Sequence, residues 1–292
     1  MNINFITISP TPHYNDVIGG SMVCHNLAHN LSILGECSYL YANSTKSNYT
    51  SNLIPWGTIG EFDQENTIVI YPSGNGEHTY INNVEKSWIK ADNKVRWLMN
   101  NQGTEYPQND KLYKFVDYFE TLDTQKIDGN LLAIDVDLNK FKNQNLQRSG
   151  ICYYTKGEII NNETRLHNIG DLCIDNYMSL PSPSHREDYL ISTFNKCEKF
   201  ICYSNKSFIA TLAALCGCIV VVATSKGLER KDWYNGFPTL KYGIAYGEDD
   251  KTWAVETLPL VKDHVLDLKR YSLQQTKTFI KDCYEWLTIK YN

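Results

Sequence analysis

Blocks of apolar residues separated by polar loops predict alternating strands and helices along the whole chain. Residues 3–9 (INFITIS) are typical of a buried strand, and apolar residues then recur at helical spacing from Met22 to Leu34, just before Gly35. The other elements predicted in the first half are strands at 37–42, 67–72 and 94–100, a helix at 80–91, and a strand or short helix at 114–122.

The same alternation resumes after the polar stretch KNQNLQRSG (142–150). The elements predicted there are strands at 150–157, 171–177, 200–204 and 219–224, a strand or loop at 242–247, and helices at 186–196, 206–216 and twice within 251–289. Such alternation predicts an α/β protein with two doubly wound, Rossmann-like domains. We place the domain limits at 1–136 and 137–265, with a C-terminal helix at 266–292.

Composition and charge narrow the functional classes. The net charge is −5 and the isoelectric point about 5.8, so the chain has no global basic surface for nucleic acid. The nine cysteines form no CxxC pair, which favours a reducing compartment over a disulfide framework. The N-terminus does not resemble a signal peptide, and no apolar run approaches the ~20 residues that span a bilayer. We therefore expect a cytoplasmic protein.

One stretch, FICYSNKSFIATLAALCGCIVVVAT (200–224), reads as a strand, a polar turn, a helix and a second strand. Ser204, Asn205 and Ser207 are good N-cap residues, and a helix start offers N–H groups to a phosphate. Gly217 allows the helix end to turn tightly into the next strand. The alternative is an ordinary strand–helix–strand unit with an ordinary cap.

Several segments, taken in order, resemble the GT-B glycosyltransferases. The most specific is ALCGCIVVV (214–222), and the others are GGSMVCHNLAHNLSILG (19–35), NTIVIYPSGNG (66–76), KVRWLMNNQG (94–103), RSGICYYTKGE (148–158) and KYGIAYGEDDKTWAVET (241–257). Together they cover most of the chain. The resemblance implies an acceptor-side domain and a nucleotide-sugar-binding domain that face each other across a cleft, with C-terminal helices packing back on the first domain.

The resemblance also implies the site and its ligands. Lys156 matches a diphosphate-binding lysine, and the other donor-side positions implied are Gly19, Gly20, Tyr203, Ser204, Asn205, Ser207 and Thr211. The donor is a nucleotide-diphosphate sugar, and no other cofactor or metal is expected. The acceptor is a glycan or a lipid-linked glycan, which leaves transient association with the inner face of a membrane open.

One departure from the family pattern concerns its two acidic residues, eight positions apart, which hold the transferred sugar and the ribose. Ser204 and Leu212 stand at those positions here, and leucine accepts no hydrogen bond from a hydroxyl. Two alternatives therefore stay open beside a glycosyltransferase: a degenerate, non-catalytic module that binds a nucleotide sugar or a glycan, and a sugar-nucleotide epimerase.

The remaining candidates are polar residues on loops and helix faces. Four residues on predicted strand-end loops are candidates for a general base. We prefer Asp16 and His78 to His13 and Glu77. His25 and His29 have the i, i+4 spacing of a metal pair, but we expect them on a solvated helix face. Asp135 and Asp137 have the spacing of a DxD metal-binding motif. We nevertheless expect these two residues to lie at the end of a strand between the domains. Arg96 and Trp97 are expected to be structural.

Overall fold

The computed structural model describes residues 2–14, 19–59, 62–73, 89, 91–99, 105–116, 124–157, 159–161 and 163–292. They form two compact units. Unit 1 comprises Met1–Asp135 and Lys269–Asn292, and unit 2 comprises Val136–Leu268. The chain thus passes from one unit to the other twice, close in sequence to the predicted limits at 136 and 265. The predicted arrangement of two domains about a cleft stays a prediction.

Unit 1 contains, among its described residues, a seven-stranded parallel sheet in the order β3-β2-β1-β4-β5-β6-β7. Its strands are β1 (Asn4–Ile8), β2 (Cys37–Tyr41), β3 (Asn52–Ile54), β4 (Thr67–Ser73), β5 (Asn93–Leu98), β6 (Lys111–Lys114) and β7 (Gly129–Asn130). This order reverses direction between β1 and β4, as in a doubly wound fold. The first strand is buried almost throughout, because both faces of such a sheet are covered.

Helix α1 (Gly19–Ile33) joins β1 to β2, and its apolar residues pack on the sheet as the spacing predicted. Every residue from Ser21 to Ala28 is buried, so this part of the helix is covered on all sides. Gly35 follows the helix with φ +92°, a conformation that glycine adopts without strain. Most of the predicted helix at 80–91 and of the segment at 114–122 lies outside the described residues.

Asp135 and Asp137 were predicted to lie at a strand end between the domains, and that prediction is wrong. Only Gly129 and Asn130 pair as a strand, and the following backbone is held by the C-terminal helix. The Leu132 N–H donates to the Gln275 side chain (2.6 Å), and the Ile134 N–H donates to the Ser272 hydroxyl (3.0 Å). Side chains satisfy these buried N–H groups where a neighbouring strand would otherwise do so.

Unit 2 has, within its described residues, a five-stranded parallel sheet in the order β12-β11-β10-β8-β9. Its strands are β8 (Ile151–Tyr154), β9 (Leu172–Cys173), β10 (Lys199–Cys202), β11 (Ile219–Val222) and β12 (Ile244–Tyr246). The strand predicted at 171–177 is shorter, because Asp175–Ser179 form a 3-10 helix. The predicted α/β class is confirmed by the two parallel sheets and their helices.

The helices of unit 2 are short. They are α2 (Pro183–Lys196), α3 (Ile209–Leu215), α4 (Arg230–Gly236) and α5 (Lys251–Thr257). Helix α2 begins three residues before its predicted start, because the Ser182 hydroxyl accepts the His185 N–H and Pro183 fits the first helical position. Gly217 has φ +96°, and its N–H bonds to the Ala214 carbonyl, so it ends α3 as predicted.

The last helix, α6 (Val261–Tyr291), begins in unit 2 and continues into unit 1. Within unit 1, Phe279 packs against Phe5 and Tyr113, with ring centroids 5.9 and 4.9 Å apart. The Tyr113 hydroxyl donates to Asp282 at 3.2 Å. Across the described part of the chain, no helix combines the length and the apolar character that crossing a bilayer requires.

Candidate functional site

In unit 2 the strand order reverses at β8 and β10, and open α/β sheets have their binding crevice at the carboxyl ends of such strands. From β8 the chain continues to β9 on one side, whereas β10 lies on the other side, so the sheet reverses direction between these two strands. Tyr154 and Cys202 end the strands in register, and the Tyr203 N–H donates to the Tyr154 carbonyl at 2.9 Å. Ligands of open α/β sheets bind at such a reversal. The segments 155–157 and 203–205 meet there.

Lys156 lies in a tight, left-handed turn at the end of β8. Its φ is +57°, and that of Gly157 is +80°, while the Lys156 side chain is exposed. The left-handed region is unfavourable for a residue with a Cβ, so neighbouring contacts must hold this conformation. The turn leaves the Lys156 side chain exposed at the carboxyl end of β8.

Asp175 holds that turn, and the sequence analysis missed it. One carboxylate oxygen accepts the Thr155 N–H at 2.7 Å, and the other accepts the Thr155 hydroxyl. The same hydroxyl oxygen accepts the Gly157 N–H at 3.1 Å. Asp175 begins the 3-10 helix that replaces the end of the predicted strand at 171–177. Because the segment was predicted to be a strand, the sequence pattern offered no reason to expect the Asp175 carboxylate at the Lys156 turn.

Tyr203 directly follows β10 and lies beside a cluster of rings. Its hydroxyl accepts the Leu166 N–H at 2.7 Å and lies 2.7 Å from the His167 Nδ1. The His167 ring stacks on Tyr153 with centroids 3.6 Å apart, and partial burial lowers the pKa of His167. Tyr203 therefore fixes the loop at 166–167 over one face of the sheet.

Ser204, Asn205 and Ser207 form a turn ahead of helix α3 and do not cap it. The N-cap position belongs to Phe208, and no side chain caps the helix. The Asn205 amide donates to the Ser225 hydroxyl (2.6 Å), and the Asn205 carbonyl accepts the Trp233 indole N–H (2.8 Å). The predicted cap is wrong because the chain makes one more turn, closed by the Ser207 N–H on the Ser204 carbonyl.

The helix side of the predicted donor site is buried within unit 2. The Thr211 hydroxyl donates to the Thr239 carbonyl at 2.6 Å, which ties α3 to the 3-10 helix Pro238–Leu240. Leu212 is only 1% exposed. The N–H groups of Ala210 and Thr211 bond to preceding carbonyls, so this helix start offers fewer N–H groups to an anion than predicted.

A second reversal lies in unit 1, between β1 and β4. Gly19 and Gly20 begin α1 there; a Cβ at Gly20 would lie 3.5 Å from Pro10, and one at Gly19 would meet no atom within 4 Å. No described contact therefore requires glycine at either position. Asp16, Glu77 and His78 lie outside the described residues. His13 is exposed, with its Nδ1 3.3 Å from the Ser44 hydroxyl.

His25 is fully buried, which corrects the expectation of a solvated helix face. Its Nε2 lies 3.2 Å from the Ser9 hydroxyl and its Nδ1 lies 3.1 Å from the Thr45 hydroxyl. Burial lowers the pKa of His25 to about 3, so the ring is neutral at pH 7. His29 is partly buried and stacks on Tyr49 at 4.4 Å. Among the described residues no cluster of three ligating side chains suits a metal.

Four other polar or aromatic candidates have structural partners. Asp135 forms an ion pair with Lys269 at 2.8 Å, and Asp137 accepts the Asn139 N–H at 3.0 Å in a turn. Two further residues, both on β5, are structural as predicted. They are Arg96, paired with Asp110 at 2.7 Å, and Trp97, whose indole donates to the Leu131 carbonyl at 2.8 Å.

Comparison with protein-family models gave no match for this chain, and comparison with curated proteins gave none either. The features that point to a function are therefore the carboxyl edge of the unit 2 sheet and the resemblance in its motifs.

Proposed function

We propose that the protein is a GT-B glycosyltransferase that binds a nucleotide-diphosphate sugar at the crevice of unit 2. One observation carries the proposal: the exposed Lys156 turn lies beside residues 203–205 at the reversal of a parallel sheet. These are the two segments that the motif resemblance assigned independently to the donor. They are about 50 residues apart in sequence, and β8 and β10 bring them to one edge.

In this proposal each group has a chemical role. The Lys156 ammonium neutralises the donor diphosphate, and Tyr203, Ser204, Asn205 and Ser207 line the adjoining loop. Gly19 and Gly20, at the reversal of unit 1, stay candidates for the donor-phosphate loop. Asp16 and His78 stay candidates for the base that accepts the proton of the acceptor hydroxyl. The acceptor is a glycan or a lipid-linked glycan.

A second candidate function is favoured by Leu212. A buried leucine stands where the family places the carboxylate that holds the ribose, so that contact is missing. A chain of this kind that binds a nucleotide sugar without transferring it would be a non-catalytic binding module. The two functions share the Lys156 site and differ in turnover.

Turnover separates these functions. We would incubate the full chain with UDP-glucose, UDP-N-acetylglucosamine and GDP-mannose, separately, and follow the release of nucleoside diphosphate by chromatography. A glycosyltransferase slowly hydrolyses its donor without an acceptor, and Asp16→Asn or His78→Ala should reduce that rate. Binding without release would favour the non-catalytic module. Conversion of one nucleotide sugar into another would favour the epimerase and contradict the proposal.

A further inference from the structure

Unit 1 contains a groove of about 640 Å³ at the amino ends of β6 and β7. Its walls come from residues 105–112 and 124–128 and from Trp286 and Lys290 of α6. The reversal between β1 and β4 lies at the opposite, carboxyl edge of the same sheet. The volume is in the range of small-ligand sites, which is roughly 300–1,000 Å³. We propose that this groove binds a segment of a neutral oligosaccharide.

The chemistry of the walls favours a ligand rich in hydroxyl groups. Six lining residues carry planar amide or carboxylate groups: Glu105, Gln108, Asn109, Asp110, Gln125 and Asp128. The carboxylates accept in one plane and the amides both accept and donate in one plane, which matches neighbouring hydroxyls of a sugar ring. Four lining side chains are apolar or aromatic, namely Tyr106, Pro107, Leu112 and Trp286, so a ligand that has both hydroxyl groups and an apolar face fits better than a lipid tail.

Trp286 supplies the flat apolar surface on which the C–H face of a sugar ring packs. Its indole is partly exposed, and the ammonium groups of Lys111 and Lys290 lie 6.0 and 5.8 Å from its centroid. These distances are at the outer limit of a cation–π contact. Both ammonium groups lie over the ring, so a sugar that packs on the indole also meets them as donors to its hydroxyls.

The charges of the groove compensate each other, which favours a neutral ligand over a phosphate. Three lysines and three carboxylates line it. Lys111 pairs with Asp128 at 2.7 Å, and Asp110 pairs with Arg96 at 2.7 Å. An anion would have to compete with carboxylates that already neutralise these cations.

The groove is held in place before any ligand arrives. Lys290 donates to the Asn93 side chain at 2.7 Å and to the Asp92 carbonyl at 3.1 Å. The Gln125 amide donates to the Tyr106 carbonyl at 3.4 Å, and the Arg96 guanidinium lies 5.3 Å from the Tyr106 ring. Because these partners are fixed, binding loses little conformational entropy.

A printed array of defined oligosaccharides, probed with the full chain, tests the inference. The strongest neutral array ligand is then titrated into the wild type and two variants. Trp286→Ala removes the indole on which the sugar would pack. The double variant Gln108→Ala/Asn109→Ala changes only exposed side chains, so the double variant still tests the groove if Trp286→Ala fails to fold. We expect each to weaken binding by about tenfold or more. Trp56→Ala, which removes a partly exposed indole elsewhere in unit 1, is the matched control.

The inference would be overturned if no neutral oligosaccharide bound on the array, if the double variant kept wild-type affinity, or if Trp56→Ala lost as much affinity as the groove variants. Lys156→Ala should leave glycan binding unchanged, because Lys156 belongs to unit 2. Loss of glycan binding in Lys156→Ala would also overturn it, since the glycan would then bind at the donor crevice. Failure of the chain to bind nucleotide sugars would leave this groove unaffected, so the two proposals fail separately.

Discussion

Asp175 offers the sharpest test of how the Lys156 turn is built. Asp175→Ala removes the carboxylate that accepts both the N–H and the hydroxyl of Thr155. A hydrogen bond to a charged group contributes about 1.5–3 kcal/mol to stability. Asp175 is partly exposed, so the lower figure applies to each bond, and the two are not independent. We expect the free energy of unfolding to fall by about 2–3 kcal/mol.

The functional effect should follow from the backbone. Without Asp175, nothing described holds the Thr155 side chain in place to accept the Gly157 N–H, and Lys156 is released from its left-handed conformation. The lysine remains present but no longer points in one direction. We expect Asp175→Ala to weaken nucleotide-sugar binding about as much as Lys156→Ala does. Urea denaturation measures the stability and calorimetric titration measures the affinity.

Asp63→Ala is the matched control, because one Asp63 oxygen accepts the Glu65 N–H at 3.1 Å and the other accepts the Asn66 amide at 2.6 Å, both within unit 1. It should lower stability without changing donor affinity. Wild-type donor affinity in Asp175→Ala, together with a loss of stability, would refute the reasoning. The carboxylate would then be structural and would have no part in positioning Lys156.

Three further predictions follow from burial. Leu212→Glu should lower stability by about 3 kcal/mol or more, as seen by urea denaturation, because it buries an unpaired charge; tighter donor binding with a stable fold would contradict this. Burial holds His25 neutral by lowering its pKa to about 3, so the free energy of unfolding should fall by up to about 1.4 kcal/mol per pH unit as the pH drops from about 6.5 towards 3. His25→Gln should remove this contribution of His25 when urea denaturation is compared at pH 6.5 and pH 5. The same pH dependence in His25→Gln and the wild type would contradict the prediction. A thiol reagent should quickly modify Cys37 and Cys173 of the native protein, because these two cysteines are at least partly exposed. Peptide mass spectrometry identifies the modified cysteines, and equally fast modification of the buried ones would contradict the prediction.

The hydrophobic pattern predicted the central strands of both sheets but missed β3, β6 and β7. β1, β10 and β11 appear where apolar runs predicted them, because buried parallel strands carry such runs on both faces. Helix α1 was also found by its spacing. The burial of His25 was missed because the spacing argument assumed one solvated face, whereas the first half of α1 is covered all round.

The candidate site was predictable only in part. Lys156 and Tyr203 were assigned by motif, and the sheet brings their segments together. The bond from Thr155 to Asp175 joins residues 20 positions apart, and no local pattern marks it. The predicted cap at Ser204 or Ser207 was wrong because an extra turn places Phe208 at the N-cap. The Trp233 indole N–H donates to the Asn205 carbonyl within that turn, a long-range contact that no local pattern marks.

Donor binding to Lys156 is the central claim, and calorimetric titration in the presence of EDTA tests it most directly. The titrants are UDP-glucose, UDP-N-acetylglucosamine and GDP-mannose, and the proteins are the wild type, Lys156→Ala and the control Lys196→Ala. Lys196 is an exposed lysine of unit 2 that precedes β10 at the opposite edge of its sheet. We predict that at least one donor binds without a divalent metal, and that Lys156→Ala weakens this binding roughly ten- to a hundredfold while Lys196→Ala leaves it unchanged. Binding of none of the three donors by the wild type, or equal affinities in all three proteins, would contradict the account.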